Sequence, residues 1–258
     1  INEKNVGFVR NFERAISRCK GRYIALADQD DVWLPKKLET LAKNICHHSL
    51  ICSDACLIDQ NGKIINKSYK NYARLIVKTG KSFKTLVYHN FVPGCTTLFK
   101  QELLTKALPI PEDAKYHDWW LAIVASKMDG IKFLDTPLIF YRLHPSGHTG
   151  ATKKLGLLQD IIAFFSNKAK NERRERKKQE IKMNYERIKA IITSPIFNNS
   201  EKEYLKEAIE YYGDIFKSHL PLKALRIGIK NRDFIYARAH GLRKWIHIFF
   251  NFISQTLI

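Results

Sequence analysis

The chain has 258 residues, 45% of them hydrophobic, 12% aromatic and 27% charged, a composition that excludes disorder as the state of the whole chain. A chain of this length buries roughly 70–75% of its unfolded surface, so folding requires neither a disulfide nor a metal staple. Forty-four Lys and Arg face 25 Asp and Glu, a net charge of +19 that favours polyanions: nucleic acid, nucleotide phosphates or an anionic membrane face. Five cysteines, an odd number, argue against a secreted disulfide framework and fit a reducing compartment. No run of about 20 apolar residues is present, so no segment is expected to span a bilayer unaided.

In chain order, Glu3 to Cys19 reads as a loop and then a helix with Phe8, Phe12, Ala15 and Ile16 on one face, closed by Gly21. Tyr23 to Ala27 reads as a buried strand that ends in Asp28-Gln29-Asp30-Asp31. Pro35 opens a helix over Lys36 to Ile45, Ser49 to Ile58 is a strand, and Asn61-Gly62 is a hairpin-type turn. Thr96 to Phe99 is a short strand, Trp119 to Met128 a helix, and Ile131 to Leu134 a strand. This alternation predicts an α/β domain over residues 1–150. Residues 151–258 read as a helical, basic region. Lys168 to Ala190 alone holds ten Lys and Arg against four Glu, and the chain ends in an aromatic-rich helix over Leu242 to Ile253.

The acidic cluster carries the strongest chemical signal. Three carboxylates within four residues repel one another unless a cation offsets them, and hard divalent cations such as Mg²⁺ or Mn²⁺ take such oxygen ligands. The carboxyl end of a strand in an open α/β sheet is also where ligands bind. The competing reading is a solvated acidic turn before the helix at Pro35. Asp118, at the start of an apolar helix between His117 and Trp119, reads either as a helix cap or as a general base. Cys52 and Cys56 read as core, since the spacing around Cys46, His47 and His48 does not match structural zinc sites. Trp33 reads as a structural lock on the loop after the acidic cluster.

Four segments, in order, resemble glycosyltransferase family 2. They are Asn5-Val6-Gly7 with Arg10-Asn11, running on to Lys20 through Trp33 with its Asp28-Gln29-Asp30-Asp31; Asn90 through Phe99; His117-Asp118-Trp119-Trp120; and Tyr141-Arg142-Leu143-His144. The resemblance covers about residues 5–150, and its D-Q-D-D-x-W form is similar to the rhamnosyltransferase-like branch that builds bacterial surface polysaccharides. It implies a GT-A, Rossmann-like fold, N-terminally incomplete here by about two βα units, and an inverting, metal-dependent transfer from a nucleotide-sugar donor. By that resemblance Asp28 and Asp30 would hold the metal and the nucleotide, with Asp31 supporting the loop. Asn5, Gly7, Arg10 and Asn11 would line the nucleotide side, and Gly94 would let the backbone approach the sugar. Asp118 would be the base. His144 would be a third metal ligand or a diphosphate contact and Arg142 a phosphate partner, against the plain reading of both as polar residues at a strand end.

The basic helix and the cationic, Trp- and Phe-containing end of the chain suggest peripheral contact with an anionic membrane at the cytoplasmic face, where a glycan or lipid-linked acceptor would be met. A terminal helix packed on its own domain is the alternative. Two rival functions remain at this level: a non-catalytic remnant that binds membrane or partner proteins, and a nucleic-acid binder. No nucleic-acid motif accompanies the charge, so no nucleic acid is expected.

Overall fold

The computed structural model describes residues 4–143, 167–218 and 220–236 together with Ile248, with the backbone alone for 167–174. The chain divides into two compact units, Ile1–Ile110 with Ala114–Lys153 and Pro111–Asp113 with Lys154–Ile258.

The first unit is mixed α/β, as the strand and helix patterns predict, and in keeping with a GT-A fold. Its strands are β1 (Tyr23–Ala25), β2 (Val32–Trp33), β3 (Leu50–Ile58), β4 (Ile64–Asn66), β5 (Thr97–Lys100) and β6 (Ile131–Arg142). They form one sheet in the order β1-β5-β3-β6-β2, with β4 paired to β3. The β3–β6 pair is parallel and the others are antiparallel. All nine residues of β3 are buried, which is what a central strand covered on both faces demands. The helices are α1 (Phe8–Ser17), α2 (Lys37–Asn44), α3 (Tyr69–Ala73), α4 (Phe83–Tyr88), α5 (Leu104–Ala107) and α6 (His117–Lys127). Leu41 of α2 and Ile45 just after it pack with Ile51, Leu98 and Leu138 of the sheet.

Helix α6 is apolar all round, and nine of its eleven residues are buried, as such a composition requires. Its two indoles are anchored: Trp119 Nε1 donates to the carbonyl of Leu86 at 2.6 Å and Trp120 Nε1 to that of Ala107 at 2.8 Å. The start of α6 is thereby fixed in a low-dielectric setting.

Three local expectations are corrected. Helix α1 closes at Arg18, whose N–H reaches the carbonyls of Ala15 and Ile16, rather than at Gly21. Ile16 is its only buried residue, so no apolar side chain beyond it holds another turn against the core. Strand β1 stops at Ala25, although the N–H of Leu26 still donates to Thr97 O at 3.2 Å. Strand β6 runs to Arg142 instead of stopping at Leu134. Pro137 falls opposite Asp54 at a register irregularity, where a residue without an N–H is tolerated. The Asn61-Gly62 turn is present, with Gly62 at φ 84° and Asp59 N–H donating to Lys63 O. Cys52 and Cys56 lie in the core.

The second unit contains α7 (Asn167–Ile191), α8 (Asn199–Lys217), α9 (Leu222–Lys230) and α10 (Arg232–Ile235). Asn198 and Glu201 form a reciprocal cap at the start of α8. The basic helix α7 is not solvated all round: Ile181, Asn184, Ile188 and Ile191 form a buried seam at helical spacing, and Arg187 beside it is only 1% exposed. No helix among the described residues is long and apolar enough to cross a membrane. The expected terminal helix over Leu242 to Ile253 lies outside the described residues except for Ile248, which is helical and buried.

Candidate active site

Where β1 leaves the sheet, Asp28 to Asp31 form a turn rather than a continuation of the strand. Arg142, at the end of β6, staples that turn. Its N–H donates to Asp31 Oδ1 at 2.9 Å, its Nε to the carbonyl of Asp30 at 2.9 Å, and its Nη1 to the carbonyls of Asp59 and Gln60 at 2.9 and 3.1 Å. Two of the three guanidinium nitrogens of Arg142, Nε and Nη1, are thus committed to carbonyl oxygens.

Behind the turn, Lys37 is 1% exposed, an unusual place for an ammonium group. Its Nζ donates to the carbonyl of Cys95 at 2.6 Å and stands 3.7 Å from the centre of the Trp33 ring. Burial lowers its pKa to about 8, while Cys95, Asp31 and Asp28 oppose that shift. Trp33 thus locks the acidic loop through a cation resting on its ring.

Opposite lies the start of α6. Asp118 accepts the N–H of Gly94 on Oδ2 at 2.9 Å and the N–H of Trp119 on Oδ1 at 2.6 Å. Burial raises its pKa to about 6 against the pull of those N–H groups. His117, 7% exposed, stacks on Phe12 of α1 at 3.8 Å between centroids, with Phe8 at its edge 6.0 Å away. Burial pushes its pKa down to about 4, so the ring is neutral near pH 7. Asp28 connects the two sides: burial raises its pKa, His117 and Lys37 draw it down, and Asp118 and Asp30 push it up.

One cluster of metal-competent donors occurs among the described residues: ligand atoms of Asp28, Asp31 and Cys95 lie within 4.8 Å of one another. Oδ2 of Asp31 is buried and makes no hydrogen bond of good geometry, although the Cys95 thiol beside it does lower that carboxyl's pKa. Burial outweighs that effect and raises the pKa of Asp31 to about 6. The two carboxylates suit a hard divalent cation. The Cys95 thiol does not, because burial holds its pKa well above the ordinary thiol value and keeps it protonated.

Residues 1–106 match the model of glycosyl transferase family 2. Residues 1–106 thus resemble a family 2 glycosyltransferase domain. The chain is 26% identical over 156 residues to an uncharacterized glycosyltransferase of Nostoc sp., covering 56% of this chain and 46% of that protein. It is 28% identical over 130 residues to an uncharacterized glycosyltransferase of Methanocaldococcus jannaschii, covering 48% and 43%. It is 27% identical over 168 residues to the O-antigen biosynthesis glycosyltransferase WbnJ of Escherichia coli, covering 62% and 61%. The chain thus spans about half the length of the curated relatives it matches.

The structure brings Asp28, Asp31 and Gly94, inside the matched stretch, and Asp118, beyond it, into one neighbourhood. Asp30 contributes its carbonyl to the Arg142 staple, and its carboxylate stands outside the Asp28–Asp31–Cys95 cluster. The turn brings Asp31 beside Asp28 and Cys95 in that cluster. On the expected nucleotide side, Asn5 Oδ1 accepts the N–H of Gly7 at 2.9 Å, and Gly7, at φ 77°, precedes α1. Arg10 Nη1 donates to Glu13 Oε2 at 2.7 Å and to the carbonyl of Ile110 at 3.0 Å, so these contacts stay within its own helix and the loop beside it. Asn11 donates its backbone N–H to Gly7 O at 3.0 Å. His144 lies outside the described residues.

Three residues of the neighbourhood escaped notice as site residues in the sequence: Lys37, Cys95 and His117. Lys37 had a readable signal, since Trp33, Lys37, Leu41 and Ile45 recur every four residues and place the lysine in an otherwise apolar stripe. Cys95 and His117 had none beyond adjacency to Gly94 and Asp118.

Proposed function

We propose that this chain is the sugar-transferring part of an inverting glycosyltransferase, rhamnosyltransferase-like, that moves a sugar from a nucleotide donor onto a growing bacterial surface polysaccharide or lipid-linked acceptor. The observation that carries this reading is the convergence of Asp28, in the turn that follows β1, with Asp118, whose pKa is raised to about 6 at the buried start of α6. A base with that pKa is ionised at neutral pH yet strong enough to take a proton from an attacking hydroxyl. Similarity to an O-antigen glycosyltransferase supports the polysaccharide acceptor.

In this reading Asp118 accepts the proton of the acceptor hydroxyl as its oxygen attacks the anomeric carbon from the face opposite the leaving diphosphate, and the configuration inverts. The N–H groups of Gly94 and Trp119 hold the carboxylate in position for that transfer. Asp28 and Asp31, with Asp30 at the turn, would hold a divalent cation, Mn²⁺ or Mg²⁺, which supplies positive charge to the leaving diphosphate. His144 would be a further ligand or a contact to the diphosphate. Arg142 keeps the acidic turn in shape, and Lys37 offsets its negative charge from behind. Asn5, Gly7, Arg10 and Asn11 border the nucleotide. The cationic helix α7 and the end of the chain meet an anionic membrane at its cytoplasmic face.

Calorimetric titration with nucleotide sugars, in Mn²⁺ and in chelator, tests the donor side. Wild-type protein should bind at least about tenfold more tightly in Mn²⁺, and Asp28→Asn should erase that difference. Equal dependence on Mn²⁺ in the two proteins would remove Asp28 from the metal site.

A further inference from the structure

Helix α9 is apolar on two opposite faces. Ala224, Ile227 and Gly228 are buried, and a Cβ placed on Gly228 would stand 3.6 Å from the Tyr211 ring of α8 and 3.4 Å from the Tyr236 hydroxyl. That face is settled inside the helical unit. Leu222, Leu225 and Ile229, spaced i, i+3, i+7, form a second stripe on the far side of the helix. Leu222 is 57% exposed and Ile229 36%; Leu220, just before the helix, is 56% exposed and Phe216, at the end of α8, 46%. A single exposed leucine is ordinary on a protein surface, but four large apolar side chains exposed within 14 residues mark a surface that binds something.

The charge of the same segment has one sign. From Ile215 to Arg232 there are five Lys and Arg and no Asp or Glu. Lys223, Arg226 and Lys230 repeat the i, i+3, i+7 spacing one position along, so a row of cations borders the apolar stripe. Lys230 is paired with Glu207, whereas Lys223 and Arg226 are exposed and meet no acidic partner among the described residues. Asp214, the nearest acid upstream, is occupied: Oδ1 accepts the Ser218 hydroxyl and Oδ2 the Ala224 N–H, both at 2.8 Å. Those two bonds brace the loop that carries Leu220 and fix the start of α9.

Apolar side chains bordered by Lys and Arg suit a surface with an acyl interior and anionic headgroups. A nucleic acid would neutralise the cations and leave the leucines wet. A second copy docked by the same face would set two rows of cations against each other. We propose that α9 and the loop before it form a membrane-binding surface, with Leu220, Leu222 and Ile229 entering the interface and Lys223 and Arg226 at anionic headgroups. The surface is distinct from α7 and the end of the chain, and it depends neither on their contact with a membrane nor on the glycosyltransferase reading.

A chain of net charge +19 is drawn to any anionic vesicle, so the test has to separate insertion from attraction. Three full-length proteins are compared: wild type, Leu222→Asn/Ile229→Asn, which keeps every charge, and Lys223→Gln/Arg226→Gln, which keeps every apolar side chain. Each is sedimented with vesicles of equal parts phosphatidylglycerol and phosphatidylethanolamine at low and at high salt, and melted without lipid. The apolar variant should bind about tenfold more weakly at both salt concentrations. The charge variant should bind about tenfold more weakly at low salt and lose little at high salt. Both should melt close to wild type, because the four substituted side chains are exposed. Affinities of both variants within about twofold of wild type would overturn the proposal; a lowered melting temperature of the apolar variant beside unchanged affinity would do so by showing the stripe covered by protein. Failure of wild type to bind these vesicles would overturn it together with the membrane contact of α7 and the chain end, and would leave the sugar-transfer reading standing.

Discussion

Asp118→Asn should lower the rate of sugar transfer by a factor of about 10²–10⁴ and leave nucleotide-sugar binding nearly unchanged. The substitution keeps the shape of the side chain but removes its ability to accept a proton. A base is needed as the acceptor oxygen attacks and not for holding the donor, so kcat and kcat/KM should fall together. The local hydrogen bonds limit how clean the variant is. Asp118 accepts N–H groups on both oxygens, from Trp119 on Oδ1 and from Gly94 on Oδ2, and an amide can accept on only one side. A thermal melt of the variant should therefore show a modest loss of stability with a cooperative transition. Transfer within threefold of wild type would assign the base elsewhere.

Lys37→Met should destabilise the first unit by about 3 kcal/mol, measured by denaturant unfolding. The replacement fills the space but removes a charged donor from the carbonyl of Cys95, a bond of a kind that contributes about 1.5–3 kcal/mol. It also removes the cation from the Trp33 ring, an interaction that reaches about 2 kcal/mol or more where it is desolvated. Asp28 and Asp31 lose the positive charge that faces them. Partly offsetting this, a buried methionine needs no desolvation of an ammonium group. A change below 1 kcal/mol would mean that the lysine's burial cost cancels its contacts.

Much of the site was legible because its chemistry sits at element boundaries. A run of apolar residues ending in Asp28-Gln29-Asp30-Asp31 announces a strand end with carboxylates, and Asp118 followed by Trp119 and Trp120 announces a buried helix start. The parts that were not legible depend on contacts between segments distant in the chain. Arg142 reads as a cation at a strand end, but only the full length of β6, hidden in sequence by Pro137, carries it to the carbonyl of Asp30. The membership of the metal-competent cluster depends on the direction of a turn, and side-chain alternation does not apply there; hence Asp31 and not Asp30 accompanies Asp28. In the helical unit, the charge count of α7 suggests a cationic face turned to an anionic membrane, while Arg187 is buried beside its apolar seam. Charge counts along one helix say nothing of which face another helix covers.

The most direct test of the central claim, that Asp118 is the base of a sugar transfer, is the pH dependence of kcat/KM for wild type and Asp118→Asn with the nucleotide sugar that wild type binds best. The free carboxyl has a pKa raised to about 6, and only its ionised form accepts a proton, so activity should rise about tenfold per pH unit below 6 and level off above it. Asp31 also has a pKa raised to about 6, so the variant is what assigns the limb. The account predicts that the residual activity of Asp118→Asn lacks this limb; a limb retained near pH 6 in a variant of nearly full activity would contradict it.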